Sequence, residues 1–176
     1  MPSKPLLILV EGDDDKNFFE QVVVPEIRKN YQLVRIDDYK QRSPTRIKKE
    51  RIMPCSRAGF QCIIVADADE ELDVERKQSS LAEDYGVEKK DVIVVVRVIE
   101  GWYLAGLSKA RCKQLRVPDG RTDKLTKNGF NRISNRTGMT SRELKIQLLK
   151  YFSIPVAKQK NVSFDHFATK YRCGVC

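Results

Sequence analysis

The sequence predicts an α/β protein with a parallel, doubly wound sheet of about four strands and helices on both faces. Two apolar runs, Leu6–Val10 and residues 60–66, break abruptly into clusters of carboxylates, and a third, residues 91–98, is the most β-branched run in the chain. Continuous apolar runs of this length are typical of strands buried in a parallel sheet. Segments with helical spacing separate them, and such alternation favours right-handed crossovers.

The first half of the chain supplies two strands and two helices. After the first strand, Gly12 permits a tight exit into a helix predicted over residues 14–29, which Pro25 is expected to kink or end early. A weaker alternation predicts the second strand at residues 31–37. Ser43 followed by Pro44 is a typical helix start, with a polar cap and then proline in the first turn.

The later elements complete the sheet and add a helical extension. The helix after the third strand is expected to reach about Tyr85 and to end at Gly86. Helices are predicted over residues 108–115, 140–152 and 163–171, and residues 117–138 are polar and rich in turn residues. We therefore predict an α/β catalytic domain over residues 1–107 and a basic, mainly helical extension over residues 108–176.

The composition indicates a basic globular protein. The chain has 33 Lys and Arg against 24 Asp and Glu, a formal charge of +9. A basic chain that also concentrates acids in short clusters can hold a polyanion with its cations and a metal with its acids. A basic surface without a partner is the simpler alternative, and net charge does not decide between them.

The five cysteines and the start of the chain predict a cytoplasmic protein that does not enter a membrane. No apolar signal segment precedes the first strand, so we expect reduced thiols. Cys173 and Cys176 form a C-terminal CxxC, but Cys55 and Cys62 do not complete a zinc spacing. Unpaired thiols at a frayed end are therefore expected rather than a zinc site.

The most basic stretch, residues 41–58, is a candidate nucleic-acid-binding strip. Its cations could contact a phosphate backbone, although a solvated helix face explains them equally well. No aromatic side chain lies among them, so base stacking is not expected there. The candidate residues are Arg42, Arg46, Lys48, Lys49 and Arg51.

Acids follow three predicted strands and are the main functional signal. Ligands of an open parallel sheet bind beyond the carboxyl ends of its strands, so these acids are expected to meet. Carboxylates gathered in this way need cations beside them. Their hard oxygen ligands suit Mg²⁺ or Mn²⁺. The candidate metal ligands are Glu11, Asp15, Asp67, Asp69 and Glu100, with Asp13, Asp14, Glu70 and Glu71 in reserve.

The spacing of Asp67 and Asp69 predicts a turn after the third strand. An extended chain would point the two carboxylates to opposite faces, so the backbone must turn, or one acid must act from the outer shell. Two metals about 4 Å apart can activate a water and stabilise the leaving oxygen of a phosphodiester. For any single acid, a solvated helix cap is the alternative.

Three motifs resemble those of Toprim domains, which occur in topoisomerases, bacterial primases and OLD-type nucleases. VEGDDDKNFF is similar to the EGxxD motif, VADADEE to the DxD motif, and VIEGWYLAG to the glutamate–tryptophan segment of the OLD-like branch and of small stand-alone Toprim proteins. The match covers about the first 107 residues in the family order. It implies a Toprim fold and a metal-dependent nuclease.

The resemblance also implies roles for particular residues. Glu11 would be the family glutamate, acting as a metal ligand or general acid/base. Asp67 and Asp69 would be catalytic metal ligands, and Asp15 and Glu100 would complete a second metal position. Glu71 stands where topoisomerases and primases have a further aspartate. Lys158 or Lys160 would correspond to a phosphate-binding lysine of the OLD-like branch.

The sequence leaves three functions open. The first is a nuclease acting on DNA or RNA with two Mg²⁺ or Mn²⁺ ions. The second is a non-catalytic subunit that binds metal and nucleic acid and works with a separately encoded ATPase or another protein. The third is phosphoryl transfer to a small molecule. It is disfavoured because enzymes of that class carry the DxD motif at the first strand, whereas here the motif follows the third. Trp102 is expected in the core, and His166 on the surface or at a helix cap.

Overall fold

The computed structural model describes residues 4–70 and 73–174. The chain forms two compact units, Met1–Val94 and Val95–Cys176. The first unit ends inside the fourth strand, earlier than the division that the sequence analysis placed at residue 107. The strands of the described residues are β1 (Leu6–Val10), β2 (Val34–Asp38), β3 (Gln61–Asp67) and β4 (Val92–Val95).

The helices alternate with the strands in the first unit and fill the second. The helices of the first unit are α1 (Asp13–Phe18), α2 (Val24–Ile27), α3 (Pro44–Ile47), α4 (Met53–Arg57) and α5 (Val74–Tyr85), with π-helical turns at Phe19–Val23 and Lys48–Ile52 and a 3-10 turn at Lys89–Asp91. Those of the second are α6 (Glu100–Ala105), α7 (Lys109–Leu115), α8 (Lys127–Thr137), α9 (Ser141–Lys150), α10 (Ile154–Lys160) and α11 (Val162–Lys170).

The sheet confirms the predicted parallel α/β architecture. Its strand order is β2-β1-β3-β4, all parallel. In the register, Leu9 of β1 pairs with Asp37 of β2 on one side and with Ile64 of β3 on the other. The chain moves from β1 to β2 and then returns past β1 to β3, so the strand order reverses between β1 and β3. In open α/β sheets this reversal point forms the crevice in which ligands bind.

Both faces of the sheet are covered. All five residues of β1 are buried, which explains why β1 is continuously apolar rather than alternating. On one face, Leu7 and Leu9 belong to a core cluster with Ile47 and Ile52, from the helical segment between β2 and β3, and with Tyr85 of α5. This packing covers one face of the two strands, β1 and β3, after which the acids follow.

The helical segment after β1 does not end early at its proline. It runs from α1 through a π-helical turn into α2, and Pro25 lies in the first turn of α2. The amide of Val24 donates to the carbonyl of Phe19, the wider spacing of a π turn. Proline is tolerated because the first turn of a helix does not need its missing N–H. The expected kink is therefore replaced by a widened turn.

The predicted caps are confirmed, whereas the fourth strand is shorter than expected. Ser43 accepts from the amide of Arg46 and begins α3. Gly86 ends α5 with a φ of 67°, a left-handed conformation that glycine adopts without strain. β4 ends at Val95, and the next segment includes Arg97 at a φ of 66°. Glu100 therefore begins a helix rather than following a strand directly.

The second unit is more helical than the sequence analysis predicted. The polar stretch 117–138 contains α8, and α10 was not predicted. Thr126 caps α8 by accepting from the amide of Gly129, a threonine cap that the polar composition obscured. Ile146 of α9 is an exposed apolar side chain, with 56% exposure.

A buried polar network and an aromatic cluster hold the second unit together. The indole of Trp102 is fully buried, as expected, against Phe164 and Phe167. Its N–H donates to the Ser163 hydroxyl at 2.8 Å, which donates to the Asn161 side-chain oxygen at 2.9 Å. His166 is exposed.

Cys173, predicted as an unpaired thiol at a frayed end, belongs to the folded core. Cys173 is buried, with 1% exposure, so it is not a frayed thiol, and Cys176 lies outside the described residues. Cys55, Cys62 and Cys112 form no disulfide. Across residues 4–70 and 73–174, no helix is long and apolar enough to cross a membrane.

Candidate functional site

The carboxyl ends of β1 and β3 bring two of the predicted acids together. Glu11 follows the last residue of β1, and Asp67 is the last residue of β3. Because the two strands are neighbours in the sheet, the Glu11 carboxylate accepts a hydrogen bond of 3.2 Å from the Asp67 amide. A contact across 56 positions of sequence thus fixes the Glu11 side chain at the reversal point of the sheet.

The backbone turns after Asp67, which is the first of the two arrangements that the spacing of the aspartates allowed. Ala68 is 2% exposed and belongs to the core, and Asp69 takes a φ of 54°. Asp is one of the few residues other than glycine that tolerates this left-handed conformation. The Asp69 side chain is 63% exposed. Asp67 and Asp69 therefore lie on a turn at the end of the strand, and the buried Ala68 between them fixes this turn.

Lys77 of α5 is a cation within this acidic site that the sequence analysis missed. Its ammonium donates to the Asp67 carbonyl and lies 3.7 Å from the Asp69 carboxylate. The side chain is 22% exposed. Lys77 lies one helical turn after Asp73, which caps α5 by accepting from Arg76. A lysine in the first turns of the helix after a DxD segment is the signal that could have revealed it.

Burial raises the pKa of Glu11 above its usual range. The negative charge of Asp69 raises this pKa further, whereas the Asp67 amide and the ammonium groups of Lys77 and Lys40 lower it. Desolvation is the largest of these effects. The folded environment therefore disfavours the ionised form of Glu11, and an additional cation beside it would favour that form.

Tyr39 closes the core side of this site and was also missed. Its hydroxyl donates to the Val65 carbonyl at 3.0 Å, and its ring packs against Tyr85 with centroids 5.2 Å apart. Burial, followed by the negative charge of Glu11, raises the pKa of Tyr39. The phenol is consequently neutral and adds no further negative charge beside Glu11.

Asp15 has a local structural contact that the sequence analysis offered as the alternative. Its carboxylate accepts from the Gly12 amide at 3.0 Å at the start of α1. Asp13 and Asp14, also in the first turn, are exposed. Acids at this position favour the helix through its macrodipole. Asp15 thus caps α1 four residues after Glu11, and its role as a metal ligand stays a prediction.

Glu100 lies in the second unit, where it has its own partner. Its carboxylate accepts from the Lys145 ammonium at 2.8 Å, and both side chains are 7% exposed. Lys145 interrupts the apolar side of α9 between Leu144 and Leu148, a signal visible in the sequence. Glu71 lies outside the described residues, within which no group of three or more His, Cys, Asp or Glu is arranged to hold a metal ion.

The predicted basic strip is engaged in ion pairs within its own unit. Arg42 and Arg51 both contact Asp37, at 3.6 and 2.6 Å. Arg46 contacts Glu50 at 3.0 Å. Lys48 lies beside Gly86, and Lys49 is exposed. Three of the five candidate cations are thus partly neutralised.

The two candidate phosphate-binding lysines also have partners. The Lys158 ammonium lies 3.6 Å from the Asp165 carboxylate. Lys160 donates to the Leu107 carbonyl and to the Asp119 carboxylate, both at 2.6 Å. Lys160 therefore connects α10 to the two segments that precede and follow α7.

The comparisons with known proteins give a distant structural likeness. Neither a protein-family model nor a curated protein matches the chain significantly. Two solved structures resemble it, both of the C-terminal region of the Xanthomonas campestris pv. campestris OLD protein, phased with iodine and with platinum. The first is 16% identical with a TM-score of 0.46 and covers 94% of this chain and 97% of its own. The second is 15% identical with a TM-score of 0.46 and covers 97% and 94%.

Proposed function

We propose that the protein carries out metal-dependent phosphodiester chemistry on nucleic acid, as a nuclease of the Toprim type. The observation that carries this proposal is the contact between the Glu11 carboxylate and the Asp67 amide at the reversal point of a parallel sheet. This is where an open α/β sheet binds its ligands. The three motifs that resemble Toprim domains supply the kind of chemistry.

The chemical type of the donors at this edge matches the preference of Mg²⁺ or Mn²⁺. Glu11, Asp67 and Asp69 offer carboxylate oxygens, the ligands that these hard cations prefer. Burial, and after it the charge of Asp69, raises the pKa of Glu11, so a divalent cation beside this carboxyl would favour its ionised, ligating form. A bound divalent ion would supply the Lewis acidity that activates water and neutralises developing charge on a phosphodiester.

The chain's own residues have distinct roles in this proposal. Glu11, held by the Asp67 amide, is a metal ligand or the general acid/base. Asp67 and Asp69 are metal ligands on a turn fixed by Ala68. Lys77 positions the turn and limits repulsion between the carboxylates. Asp15 is a further ligand candidate.

A non-catalytic subunit that binds metal and nucleic acid is the second candidate function. The observation favouring it is the pairing of Glu100 with Lys145, which already compensates the charge of one of the five acids expected to hold two ions. The four others, Glu11, Asp15, Asp67 and Asp69, would then all have to serve as ligands of the two ions. In this case turnover would require a separately encoded partner, such as an ATPase.

A cleavage assay separates the two functions. Supercoiled plasmid, single-stranded DNA and structured RNA are incubated with the protein and Mg²⁺ or Mn²⁺, or with EDTA. We expect cleavage that EDTA and Glu11→Gln abolish. Glu20→Gln is the matched control, because Glu20 is exposed on the helical segment that follows Glu11 and makes the same charge change.

The outcomes are distinct. Cleavage that survives Glu11→Gln or EDTA would contradict the proposed site. Inactivity of the wild-type protein, together with Mn²⁺ binding that Asp67→Asn weakens, would favour the non-catalytic subunit. Circular dichroism of each variant establishes that the fold is retained.

A further inference from the structure

The net positive charge of the chain is confined to the second unit. Residues 95–176 contain 17 Lys and Arg against five Asp and Glu, a formal charge of +12. Residues 1–94 contain 16 against 19, a formal charge of −3. The acids proposed to hold metal therefore lie in a slightly acidic unit. The positive charge that would attract a polyanion belongs to the second unit.

Within the second unit, α8 presents a face of cations and amides. Phe130, Ile133 and Ser134 are buried and fix one side of this helix. The opposite side is exposed and contains six polar residues. We call it the α8 face, and it consists of Lys127, Asn128, Asn131, Arg132, Asn135 and Arg136.

The spacing of these residues produces two adjacent rows on the helix. Asn128, Asn131 and Asn135 follow the i, i+3, i+7 pattern, and Arg132 and Arg136 follow i, i+4, so each row lies along one side. Arginine binds phosphate through a planar fork of donors, and asparagine adds neutral donors and acceptors. The two rows together can contact successive groups of an extended anion.

The cations of the α8 face have no acid beside them. In the part of the second unit that the structure describes, Lys127, Arg132 and Arg136 make no ion pair or side-chain hydrogen bond. Residues 124–142 contain no Asp or Glu. The strip at residues 42–51 differs, because three of its cations contact carboxylates.

The helix that carries this face is fixed at both ends. Thr126 caps its start, and Gly138 follows its end at a φ of 74°. The Ser134 hydroxyl donates to the Met139 carbonyl at 2.6 Å and ties the last turn to the segment leading into α9. A fixed helix holds its side chains ready for a partner, which reduces the entropic cost of binding.

We propose that the α8 face binds the phosphate backbone of nucleic acid. The dense positive charge complements a polyphosphate, and the six residues include no apolar side chain that could insert into a lipid surface. The amides favour nucleic acid over an acidic polypeptide, because they can contact sugars and base edges as well as phosphates. The inference deepens the proposed function by assigning the surface that holds its substrate, and it does not depend on turnover.

Binding in EDTA tests this surface separately from catalysis. Fluorescence anisotropy of short labelled duplex DNA, single-stranded DNA and RNA is measured between about 50 and 200 mM salt. The test variant is Lys127→Gln, Arg132→Gln, Arg136→Gln. The control is Lys29→Gln, Lys89→Gln, Lys90→Gln, which changes the net charge equally at exposed lysines of the first unit.

We expect the test variant to bind at least about tenfold more weakly and to lose about 2 to 3 units from the slope of log K against log salt. The control should retain most of the affinity and slope. Equal losses in both variants, or no binding by the wild-type protein, would overturn the proposal, as would equally tight, α8-dependent binding to anionic vesicles or polyglutamate. Retained α8-dependent binding without any metal-dependent cleavage would contradict only the proposed nuclease.

Discussion

The ammonium of Lys145 lies 2.8 Å from the carboxylate of Glu100, and both side chains are 7% exposed. The same ammonium lies 5.7 Å from the ring centroid of Tyr103 and 5.5 Å from that of Phe130. The pair thus sits in an apolar, aromatic part of the second unit. In such a place each charge depends on the other, because neither is well hydrated.

Replacing Lys145 with methionine should lower the free energy of unfolding by about 3–5 kcal/mol, because it leaves the buried Glu100 carboxylate without its partner. Urea unfolding followed by circular dichroism measures this loss. The matched control is Lys150→Met, since Lys150 is exposed on the same helix.

The double variant Glu100→Gln, Lys145→Met separates charge from packing. If the unpaired charge causes the loss, removing it should restore a large part of the stability. A double variant as unstable as Lys145→Met would show that the aliphatic stem of Lys145, rather than the ion pair, stabilises the unit.

Glu11→Gln should stabilise the protein at neutral pH in EDTA. The pKa of Glu11 is raised in the folded state, mainly by burial, so the folded protein binds more protons than the unfolded chain between the two pKa values. The free energy of unfolding therefore falls as the pH rises from the unfolded value through the folded one. Glutamine removes this loss and can still accept from the Asp67 amide.

The measurement is thermal unfolding of both proteins between about pH 3 and pH 8. The two stability curves should converge below the unfolded pKa of the carboxyl and separate above it, with the variant higher. A variant that is less stable than wild type at pH 7 would contradict the raised pKa. Glu20→Gln should follow the wild-type curve.

Divalent metal should stabilise the wild-type protein. A ligand that binds only the folded state adds about 2.7 kcal/mol at a concentration a hundredfold above its dissociation constant. We expect Mn²⁺ or Mg²⁺ to raise the Tm and EDTA to reverse this rise. Asp67→Asn and Asp69→Asn should each reduce the rise, whereas Asp84→Asn, at an exposed position of α5, should not. Equal rises in all four proteins would place metal binding elsewhere.

Lys77→Met should move the acid limb of the cleavage profile to higher pH. The Lys77 ammonium lowers the pKa of Glu11, so its removal raises that pKa further, and Glu11 becomes ionised only at a higher pH. The profile of kcat/KM against pH measures this shift. Arg76→Met, at the exposed neighbouring position, is the control. An unchanged acid limb would exclude Glu11 as the group that titrates in it.

The sequence was sufficient to identify the strands and the acids that follow them. Runs such as Leu6–Val10 are apolar at every position because both faces of the sheet are covered, and this pattern needs no tertiary information to be recognised. Local caps such as Ser43 and Gly86 were equally evident, since each cap interacts only with residues close to it in the sequence. The α/β class and the acids at the ends of β1 and β3 follow from these local features.

Only the tertiary structure decided which strands are neighbours and which charges are paired. The order β2-β1-β3-β4 places Glu11 beside Asp67, and no local pattern determines that order. Lys77 and Lys145 were missed because a lysine in a sequence is normally expected to face solvent. In the folded protein, Lys77 is part of the acidic site and Lys145 is buried beside Glu100. Short-range conformational preferences determine the helices, the strands and their caps. Long-range packing determines whether a charged side chain faces water or a carboxylate.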